Sequence, residues 1–310
     1  MKKISILIPC YNEEKNVVPI SQAIEEEMKK SCSKYDYEIC FIDNCSTDNT
    51  RPLIRSICAN NPKVKAIFNV RNFGGLNSPY YGLMQMTGDC VILVCCDFQD
   101  PIDMIPKMVF EWENGAKIVS CIKTKSDENK IVRFFRTVYY KLIKKFSEVE
   151  QIEHFTGFGL YDKDFIDILR ALKDPAPFLR GIVAELGYKR VELPYRQLKR
   201  RSGKSHLSLY TLYSYAMLSF TSYTKVGLRI ATFFGALIAF GSLIVAIFYF
   251  VMKLTHWDSM QMGIAPLIIG VFLLGSLQLF FVGFLGEYIM NINQRIMNRP
   301  LVIEEERINW

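Results

Sequence analysis

The sequence predicts an α/β protein with a doubly wound sheet in its N-terminal part, followed by amphipathic helices and two C-terminal transmembrane helices. Three observations predict this fold class. Short β-rich runs alternate with helix-length stretches between Ile4 and Ile122, polar residues stand at the end of most runs, and two long uncharged stretches lie near the C-terminus. Alternating strands and helices are typical of a parallel sheet covered by helices, and long uncharged apolar stretches are typical of membrane helices.

The strands of the sheet are predicted from five β-rich runs, which are ISILIP, YEICFID, VKAIFNV, CVILVCCD and AKIVSCI. Helix-length segments follow the first four runs and begin near Glu13, Thr47, Gly74 and Asp103. In such sheets ligands bind beyond the carboxyl ends of the strands, where the strand order reverses. The polar segments at these ends are therefore the candidate site, namely PCYNEE, DNCSTD, RNFG and DFQD.

Two membrane spans are predicted, at residues 230–252 and 264–286. Neither contains Asp, Glu, Lys or Arg, and at 1.5 Å per residue each is roughly 35 Å long, enough to cross a bilayer. The basic residues that flank the spans stand on the same side of both, and they are Lys225, Arg229, Arg295 and Arg299. An excess of Lys and Arg marks the cytoplasmic side, and the N-terminus has no signal peptide. We therefore expect a multi-pass protein of the inner (cytoplasmic) membrane with both termini in the cytoplasm.

The predicted organisation has three parts. A cytoplasmic catalytic domain occupies residues 1–206, interfacial juxtamembrane helices occupy residues 207–229, and residues 230–310 hold the two spans and a cytoplasmic tail. Residues 131–146 also have apolar and basic side chains at helical spacing, which favours either an interfacial helix or an ordinary packed helix.

Composition excludes several classes of protein. All nine cysteines lie between Cys10 and Cys121 without a C-x-x-C pair or a histidine cluster, so neither a disulfide framework nor a zinc site is expected. No P-loop or G-x-G-x-x-G segment is present, which disfavours P-loop NTPases and dinucleotide oxidoreductases. The net charge of +7 is modest, and the basic segment 189–206 suits anionic lipid headgroups or a phosphorylated substrate. No interleaved aromatic residues and no recognition module accompany it, so no nucleic-acid partner is expected.

A divalent-cation site is predicted after the fourth run. Asp97 and Gln99 stand at i and i+2 there and can offer two oxygen ligands to a hard cation. Asp43, at the end of the second run, could accept hydrogen bonds from a ribose or a base. As isolated features these are weak, because Asp is common where strands end in turns.

The order of these segments, together with the C-terminal GEYIMNINQRIMNRP, resembles the inverting family 2 glycosyltransferases that charge a polyprenyl phosphate. This group includes bactoprenol glucosyltransferases and dolichyl-phosphate mannosyltransferases, and the resemblance covers nearly the whole chain. It implies a Rossmann-like GT-A domain, which is the fold of nucleotide-diphospho-sugar transferases. It also implies transfer of a sugar from a nucleotide diphosphate to a lipid phosphate on the cytoplasmic leaflet.

The resemblance also implies roles for individual residues. The residues implied to bind the nucleotide sugar are Pro9, Tyr11, Asn12, Glu13, Asp43, Asn72, Gly74 and Asp97. Asp97 and Gln99 match the cation-binding part of a D-x-D-x-Q run, which implies Mg²⁺ or Mn²⁺ as cofactor. Arg200, Lys204 and Ser205 match an R-x-x-G-x-S stretch expected to grip phosphate groups. With Asp97 they are the candidate catalytic residues, although general membrane adhesion is an alternative role for the basic stretch.

The chain departs from the family pattern at two positions. Cys95 stands where the first Asp of D-x-D is expected, and a neutral thiol is a poor ligand for Mg²⁺ or Mn²⁺. Phe158 stands near the place of an Asp that is a proposed base in related enzymes. Because a phosphate monoester is mostly dianionic at pH 7, the acceptor is already a competent nucleophile. A dedicated base is therefore dispensable.

The expected function is transfer of a hexose-type sugar from a nucleotide diphosphate, with UDP as the expected nucleotide, to undecaprenyl phosphate. Such a product would serve surface glycan synthesis or O-antigen modification. Expected partners are the sugar donor, the polyprenyl phosphate, the lipid bilayer and further copies of the chain in a dimer or tetramer. Two alternatives stay open, a non-catalytic membrane scaffold of the same fold and a processive polysaccharide synthase. The chain lacks the Q-x-x-R-W segment of such synthases.

Overall fold

The computed structural model describes residues 1–125, 152–202, 208–255 and 264–310. Its eight strands are β1 (Lys3–Cys10), β2 (Asp36–Asp43), β3 (Val64–Asn69), β4 (Cys90–Leu93), β5 (Ile118–Lys125), β6 (Phe155–Asp162), β7 (Arg190–Arg196) and β8 (Glu304–Ile308). Its helices within those ranges are α1 (Val17–Ser31), α2 (Thr50–Asn60), α3 (Gly74–Gln85), α4 (Ile105–Glu113), α5 (Lys163–Leu172), α6 (Leu179–Glu185), α7 (Leu209–Tyr223), α8 (Val226–Thr255) and α9 (Ile264–Met297).

The strands form one sheet in the order β7-β5-β6-β4-β1-β2-β3-β8. Strands β1 to β4 are parallel to their neighbours among themselves. The chain moves outward from β1 to β2 and β3, and then returns to place β4 on the other side of β1. This reversal opens a cleft beyond the carboxyl ends of β1 and β4, where ligands bind in sheets of this kind.

The sheet is buried on both faces because successive side chains of a strand point in opposite directions. In β1, Ile6 packs into the core on one face and Leu7 into the core on the other, and both are fully buried. Helix α1 covers the first face with Ile20 and Ile24, whereas Leu83 of α3 covers the second. Burial of each such side chain stabilises the fold by roughly 1.5–3 kcal/mol.

The predicted α/β class is confirmed, but the expectation of a parallel sheet is wrong beyond β4. Strand β6 lies antiparallel to both β4 and β5, so the fifth β-rich run does not adjoin the fourth. The sequence predicts no strand around Phe158, which lies in β6. In this strand Gly157 has a φ of +104°, and a Cβ atom on Gly159 would lie 2.3 Å from the carbonyl oxygen of Val119. Glycine therefore permits the close pairing that inserts β6.

A buried charged cluster closes the amino ends of the parallel strands, opposite the cleft. The Glu38 side chain is 2% exposed and lies 2.5 Å from the Lys3 ammonium and 2.9 Å from the Lys65 ammonium. Ser5 donates a hydrogen bond of 2.5 Å to the same carboxylate, and the backbone of Thr87 donates another. Burial alone would raise the pKa of Glu38, but these partners outweigh it and lower the pKa to about 2.

The C-terminal residues form an edge strand, whereas the sequence indicated a tail that belongs with the membrane part. Strand β8 pairs antiparallel with β3, with Ile308 opposite Ala66 and Glu306 opposite Phe68. The side-chain amide of Asn309 donates hydrogen bonds of 2.8 Å to the carbonyls of Cys58 and Val64. The chain thus returns to the first domain after its last long helix.

Helix α9 is longer than the predicted second span and continues to Met297. Near its end, Asn291 donates hydrogen bonds to the hydroxyls of Thr221 and Ser222 in α7. Arg295 forms an ion pair of 2.8 Å with Asp174, which follows α5. This end of α9 therefore attaches to the first domain.

The two predicted spans fall on the helices α8 and α9, but one of the two, α9, contains a segment that is long and apolar enough to cross a membrane. Within the described ranges one helical segment, Leu273–Met297, is long and apolar enough to span a bilayer, and α8 contributes a shorter apolar segment, Leu228–Ile238. Helix α7 lies within residues 207–229, where interfacial helices are predicted. The amphipathic segment 131–146 lies outside the described residues.

Candidate active site

The loops after β1 and β2 are joined at the edge of the cleft. Asn12 has a φ of +56°, in the left-handed region that asparagine tolerates better than most residues. Its side-chain oxygen accepts a hydrogen bond of 2.8 Å from the backbone of Thr47, and its own N–H donates to the Ser46 hydroxyl at 2.8 Å. The polar sequences PCYNEE and DNCSTD therefore fix each other's conformation.

The loop after β3 is joined to the same group through Asn44. The side-chain amide of Asn44 donates a hydrogen bond of 2.9 Å to the side-chain oxygen of Asn72. The side-chain oxygen of Asn44 accepts one of 2.9 Å from the backbone of Phe73. Asn69, at the end of β3, donates a further hydrogen bond to Asn44. Gly74 begins α3 with a φ of +90°, which favours glycine. Asn72 and Gly74 thus lie on the same rim of the cleft as the loops of β1 and β2.

Asp43 lies beneath this rim and is fully buried. Its carboxylate accepts a hydrogen bond of 2.7 Å from Arg51 and one of 3.1 Å from the backbone of Ser46. In this conformation the carboxylate faces Arg51 and has no surface open to the cleft. Contact between Asp43 and a ribose or base stays a prediction, and in this conformation the Asp43 carboxylate binds the backbone of the Ser46 turn.

The loop after β4 holds Asp97, which is 6% exposed. One of its oxygens accepts a hydrogen bond of 3.0 Å from the backbone of Gln99. Phe98, between them, has a φ of +60°, an unusual value for an aromatic residue. This tight turn brings Asp97 and Gln99 to the carboxyl end of β4, as the i and i+2 spacing predicted.

Residues 197–202, the described part of the basic segment after β7, lie across this turn. The backbone of Leu198 donates to the Gln99 carbonyl at 3.0 Å, and the backbone of Arg201 donates to the Asp97 carbonyl at 3.3 Å. The Arg201 guanidinium stacks over the Phe98 ring at 5.1 Å. These contacts bring Arg200 to the cleft.

Arg200 bridges the loops of β1 and β4 through two carboxylates. One of its terminal nitrogens lies 2.9 Å from the Asp97 carboxylate and the other 3.4 Å from that of Glu13. The side chains of Asp97 and Glu13 are 8% and 10% exposed, and that of Arg200 is 24% exposed. Because the pairs are largely shielded from water, their attraction exceeds that of a surface ion pair. We name Glu13, Asp97 and Arg200 the cleft triad.

A second acidic residue lies beneath the turn. Asp100 is 3% exposed and accepts hydrogen bonds from the backbone of Cys95 at 3.0 Å and from the Tyr195 hydroxyl at 3.3 Å. Burial is the main cause that raises the pKa of Asp100 to about 6, and the Asp97 charge adds to it. Phe158 is 2% exposed and packs edge-on against Tyr195 at 5.2 Å. Position 158 therefore supplies a core contact and no base.

The described residues can hold a divalent ion only with help from a ligand. They contain no group of three or more His, Cys, Asp or Glu side chains arranged to bind a metal. Cys95 is exposed to solvent, yet desolvation by surrounding atoms, followed by the charges of Asp100 and Asp97, raises the pKa of its thiol well above the usual value. The thiol is therefore neutral at pH 7. Asp97 and Gln99 fit an ion that takes its remaining oxygen ligands from a diphosphate and water.

The structure brings together most of the predicted site residues. Those at the carboxyl ends of β1 to β4 are Pro9, Tyr11, Asn12, Glu13, Asn72, Gly74, Asp97 and Gln99, and Arg200 joins them from the segment after β7. Lys204 and Ser205 lie outside the described residues. Sequence reasoning missed Asn44, Arg51 and Asp100. Asn44 and Asp100 stand inside the polar segments DNCSTD and DFQD, whereas no local pattern marked Arg51.

Comparison with known proteins finds a family and full-length relatives. Residues 5–170 match the family described as Glycosyl transferase family 2. The bactoprenol glucosyl transferase of Shigella phage SfII is 29% identical over 304 residues, which cover 97% of each chain. CsbB of Bacillus subtilis is 31% identical over 303 residues, which cover 98% of this chain and 91% of the relative.

Solved structures give weaker similarities. A mannosyltransferase from Pyrobaculum calidifontis in complex with GDP-Man and Mn²⁺ has a TM-score of 0.42 at 15% identity and covers 96% of this chain and 87% of its own. Mannosyl-3-phosphoglycerate synthase from Rubrobacter xylanophilus has a TM-score of 0.47 at 18% identity and covers 70% of this chain and 71% of its own.

Proposed function

Because the chain belongs to glycosyl transferase family 2 and is a glycosyltransferase, we propose that it transfers a hexose-type sugar from a nucleoside diphosphate, with UDP as the expected nucleotide, to a polyprenyl phosphate. Relatives named bactoprenol glucosyl transferases match nearly all of the chain, which supports a lipid phosphate as the acceptor. The lipid-linked sugar would then serve surface glycan synthesis or O-antigen modification.

The observation that carries this proposal is the cleft triad. Arg200, Asp97 and Glu13 meet where the strand order reverses between β1 and β4, which is where a nucleotide is expected to bind. A guanidinium donates paired hydrogen bonds that suit phosphate oxygens. Arg200 can therefore exchange its contact with Asp97 for the diphosphate of a donor, which frees the Asp97 carboxylate.

Asp97 and Gln99 are the residues that would hold a divalent ion arriving with the diphosphate. When bound, such an ion supplies positive charge that stabilises the departing nucleotide. Arg200 adds positive charge from the protein at the same place. Because Cys95 is a neutral thiol, we expect this chain to depend more on Arg200 for charge than a site with two carboxylates would.

The acceptor phosphate needs orientation more than activation. A phosphate monoester is mostly dianionic at neutral pH, so loss of a base at position 158 does not prevent attack on the anomeric carbon. The residues of the chain hold the donor in place on one side of the cleft, which lowers the barrier by fixing the reacting groups. The acceptor oxygen forms the new glycosidic bond as the bond to the diphosphate breaks.

The membrane arrangement we propose has an even number of crossings. Strand β8, after α9, pairs with β3 in the same sheet as β1. The chain before α8 and the chain after α9 must therefore lie on one side of the bilayer. This supports two spans, formed by α8 and α9, with a cytoplasmic catalytic domain and both termini in the cytoplasm. Strand β8 then joins the catalytic domain, which otherwise comprises residues 1–206.

The proposal is tested by incubating the purified full-length protein in detergent with UDP- and GDP-sugars, undecaprenyl phosphate and Mg²⁺ or Mn²⁺. We expect a lipid-linked monosaccharide whose formation EDTA prevents. Asp97→Ala should abolish the product, whereas the matched control Asp103→Ala should keep it, because Asp103 is an exposed residue that pairs with Lys107. Product from the Asp97 variant would contradict the assignment. Absence of product with every donor would favour the non-catalytic scaffold.

A further inference from the structure

The C-terminal strand contacts the catalytic domain through more than its backbone. Glu305, in β8, lies 2.9 Å from the guanidinium of Arg51, which is the second residue of α2. The Arg51 side chain is 17% exposed and that of Glu305 is 48% exposed, so the pair is half-exposed and water screens it in part. The strand that follows the last long helix therefore reaches a residue that also faces the cleft loops.

Arg51 uses its other nitrogens on the ends of two central strands. It donates a hydrogen bond of 2.7 Å to the buried Asp43 carboxylate at the end of β2 and one of 2.6 Å to the Asn69 carbonyl at the end of β3. The planar guanidinium holds its donors in a fixed arrangement. A contact at Glu305 thus constrains the direction in which Arg51 presents its nitrogens to Asp43 and Asn69.

Asp43 passes this constraint to the rim of the cleft. It accepts from the backbone of Ser46, and the Ser46 hydroxyl accepts from the backbone of Asn12. A continuous set of hydrogen bonds and ion pairs therefore links β8 to the loops after β1 and β2. These are the loops that the donor nucleotide would contact under the proposed function.

We propose that Arg51 is a positioning residue that couples the C-terminal strand to the donor-nucleotide pocket, so that β8 is a working part of that pocket. This inference rests on the proposed function, because the pocket is defined by it. Neither Arg51 nor Glu305 touches the donor. They act by holding Asp43, and through it the Ser46 and Asn12 turns, in the conformation that accepts the nucleotide.

The test compares Glu305→Gln with Glu306→Gln in the full-length protein. Glu306 is the matched control, because it is the next residue of β8, its side chain is 40% exposed against 48% for Glu305, and its carboxylate lies 2.7 Å from Arg55 and so does not act on Asp43. The affinity for UDP and GDP is measured by calorimetry, and KM and kcat are measured with the active sugar nucleotide. We expect Glu305→Gln to weaken nucleotide binding and raise the donor KM roughly two- to fivefold at unchanged kcat, as suits a half-exposed ion pair.

A second variant, Arg51→Lys, separates positioning from folding. Lysine keeps the positive charge beside Asp43 but cannot hold three acceptors in a plane, so we expect a larger loss of nucleotide affinity than for Glu305→Gln, with a folded protein by gel filtration. If both variants bind nucleotide as the wild type does, or if Glu306→Gln weakens binding equally, the coupling is refuted. A wild-type protein that binds nucleotide but transfers no sugar would instead refute the proposed function alone.

Discussion

Glu38→Gln should destabilise the catalytic domain by about 3 kcal/mol at pH 7 without changing the donor KM. The Glu38 carboxylate is almost completely buried and is bound by Lys3, Lys65 and Ser5. Although burial alone would raise its pKa, these partners lower the pKa from 4.5 to about 2. A difference of that size between folded and unfolded states corresponds to roughly 3 kcal/mol at neutral pH. Loss of one partner from a buried ion pair has a similar cost, of about 3–5 kcal/mol.

The pH dependence has a definite sign. Because the pKa of Glu38 is lower in the folded state, its contribution is complete above the unfolded value of 4.5 and is lost as the pH falls towards about 2. The difference in the free energy of unfolding between the wild type and Glu38→Gln should therefore be smaller at pH 3.5 than at pH 7, by roughly 1 kcal/mol. The donor KM should stay the same, because Glu38 lies at the amino ends of the strands and the cleft lies at their carboxyl ends.

Urea unfolding of the full-length protein in detergent, followed by tryptophan fluorescence, measures this effect. Asp36→Asn is the matched control, because Asp36 is in the same strand and pairs with Lys63 at a site where both side chains are 47% exposed. That substitution should change the free energy of unfolding by no more than about 0.5–1 kcal/mol. Equal stabilities of the wild type and Glu38→Gln at pH 7, or a difference that does not shrink in acid, would refute the reasoning.

Three further predictions concern the cleft and the membrane. Cys95→Asp adds a carboxylate beside Asp97, so Mn²⁺ should raise nucleotide affinity in calorimetry more than in the wild type, and a loss of binding would show that the thiol has a packing role. Asp100→Asn should raise the free energy of unfolding by about 1–3 kcal/mol at pH 7.5 but by little at pH 4, because burial raises the pKa of Asp100 from 3.8 to about 6 and its ionisation opposes folding increasingly between these two values. An equal effect of the substitution at the two pH values would contradict this. Epitope tags placed before Met1 and after Trp310 should both be protected from protease in sealed spheroplasts and cleaved in inside-out vesicles, and opposite exposure of the two tags would exclude an even number of crossings.

Several predicted site residues form hydrogen bonds with one another across neighbouring loops. Asn12, at a positive φ, and Ser46 fix two loops to one another. Such preorganisation reduces the entropy that donor binding must overcome. Asn44, inside the polar segment DNCSTD, performs the same task between the next pair of loops.

Local patterns in the sequence determined the strands β1 to β5, the helices between β1 and β5, and the polar strand ends, because alternation and turn chemistry act over a few residues. They also indicated Asp97, Gln99 and Arg200, through the order of motifs that resemble one family. The family itself is confirmed, whereas the roles of these residues stay predictions.

Tertiary structure alone decided which distant residues meet. The insertion of β6 between β4 and β5, the return of β8 to β3 and the pairing of Arg51 with Asp43 join residues far apart in the chain. The Arg200 bridge between Asp97 and Glu13 is of the same kind. Such contacts depend on how the sheet is ordered and how completely each charge is shielded from water, and no local spacing of residues encodes either.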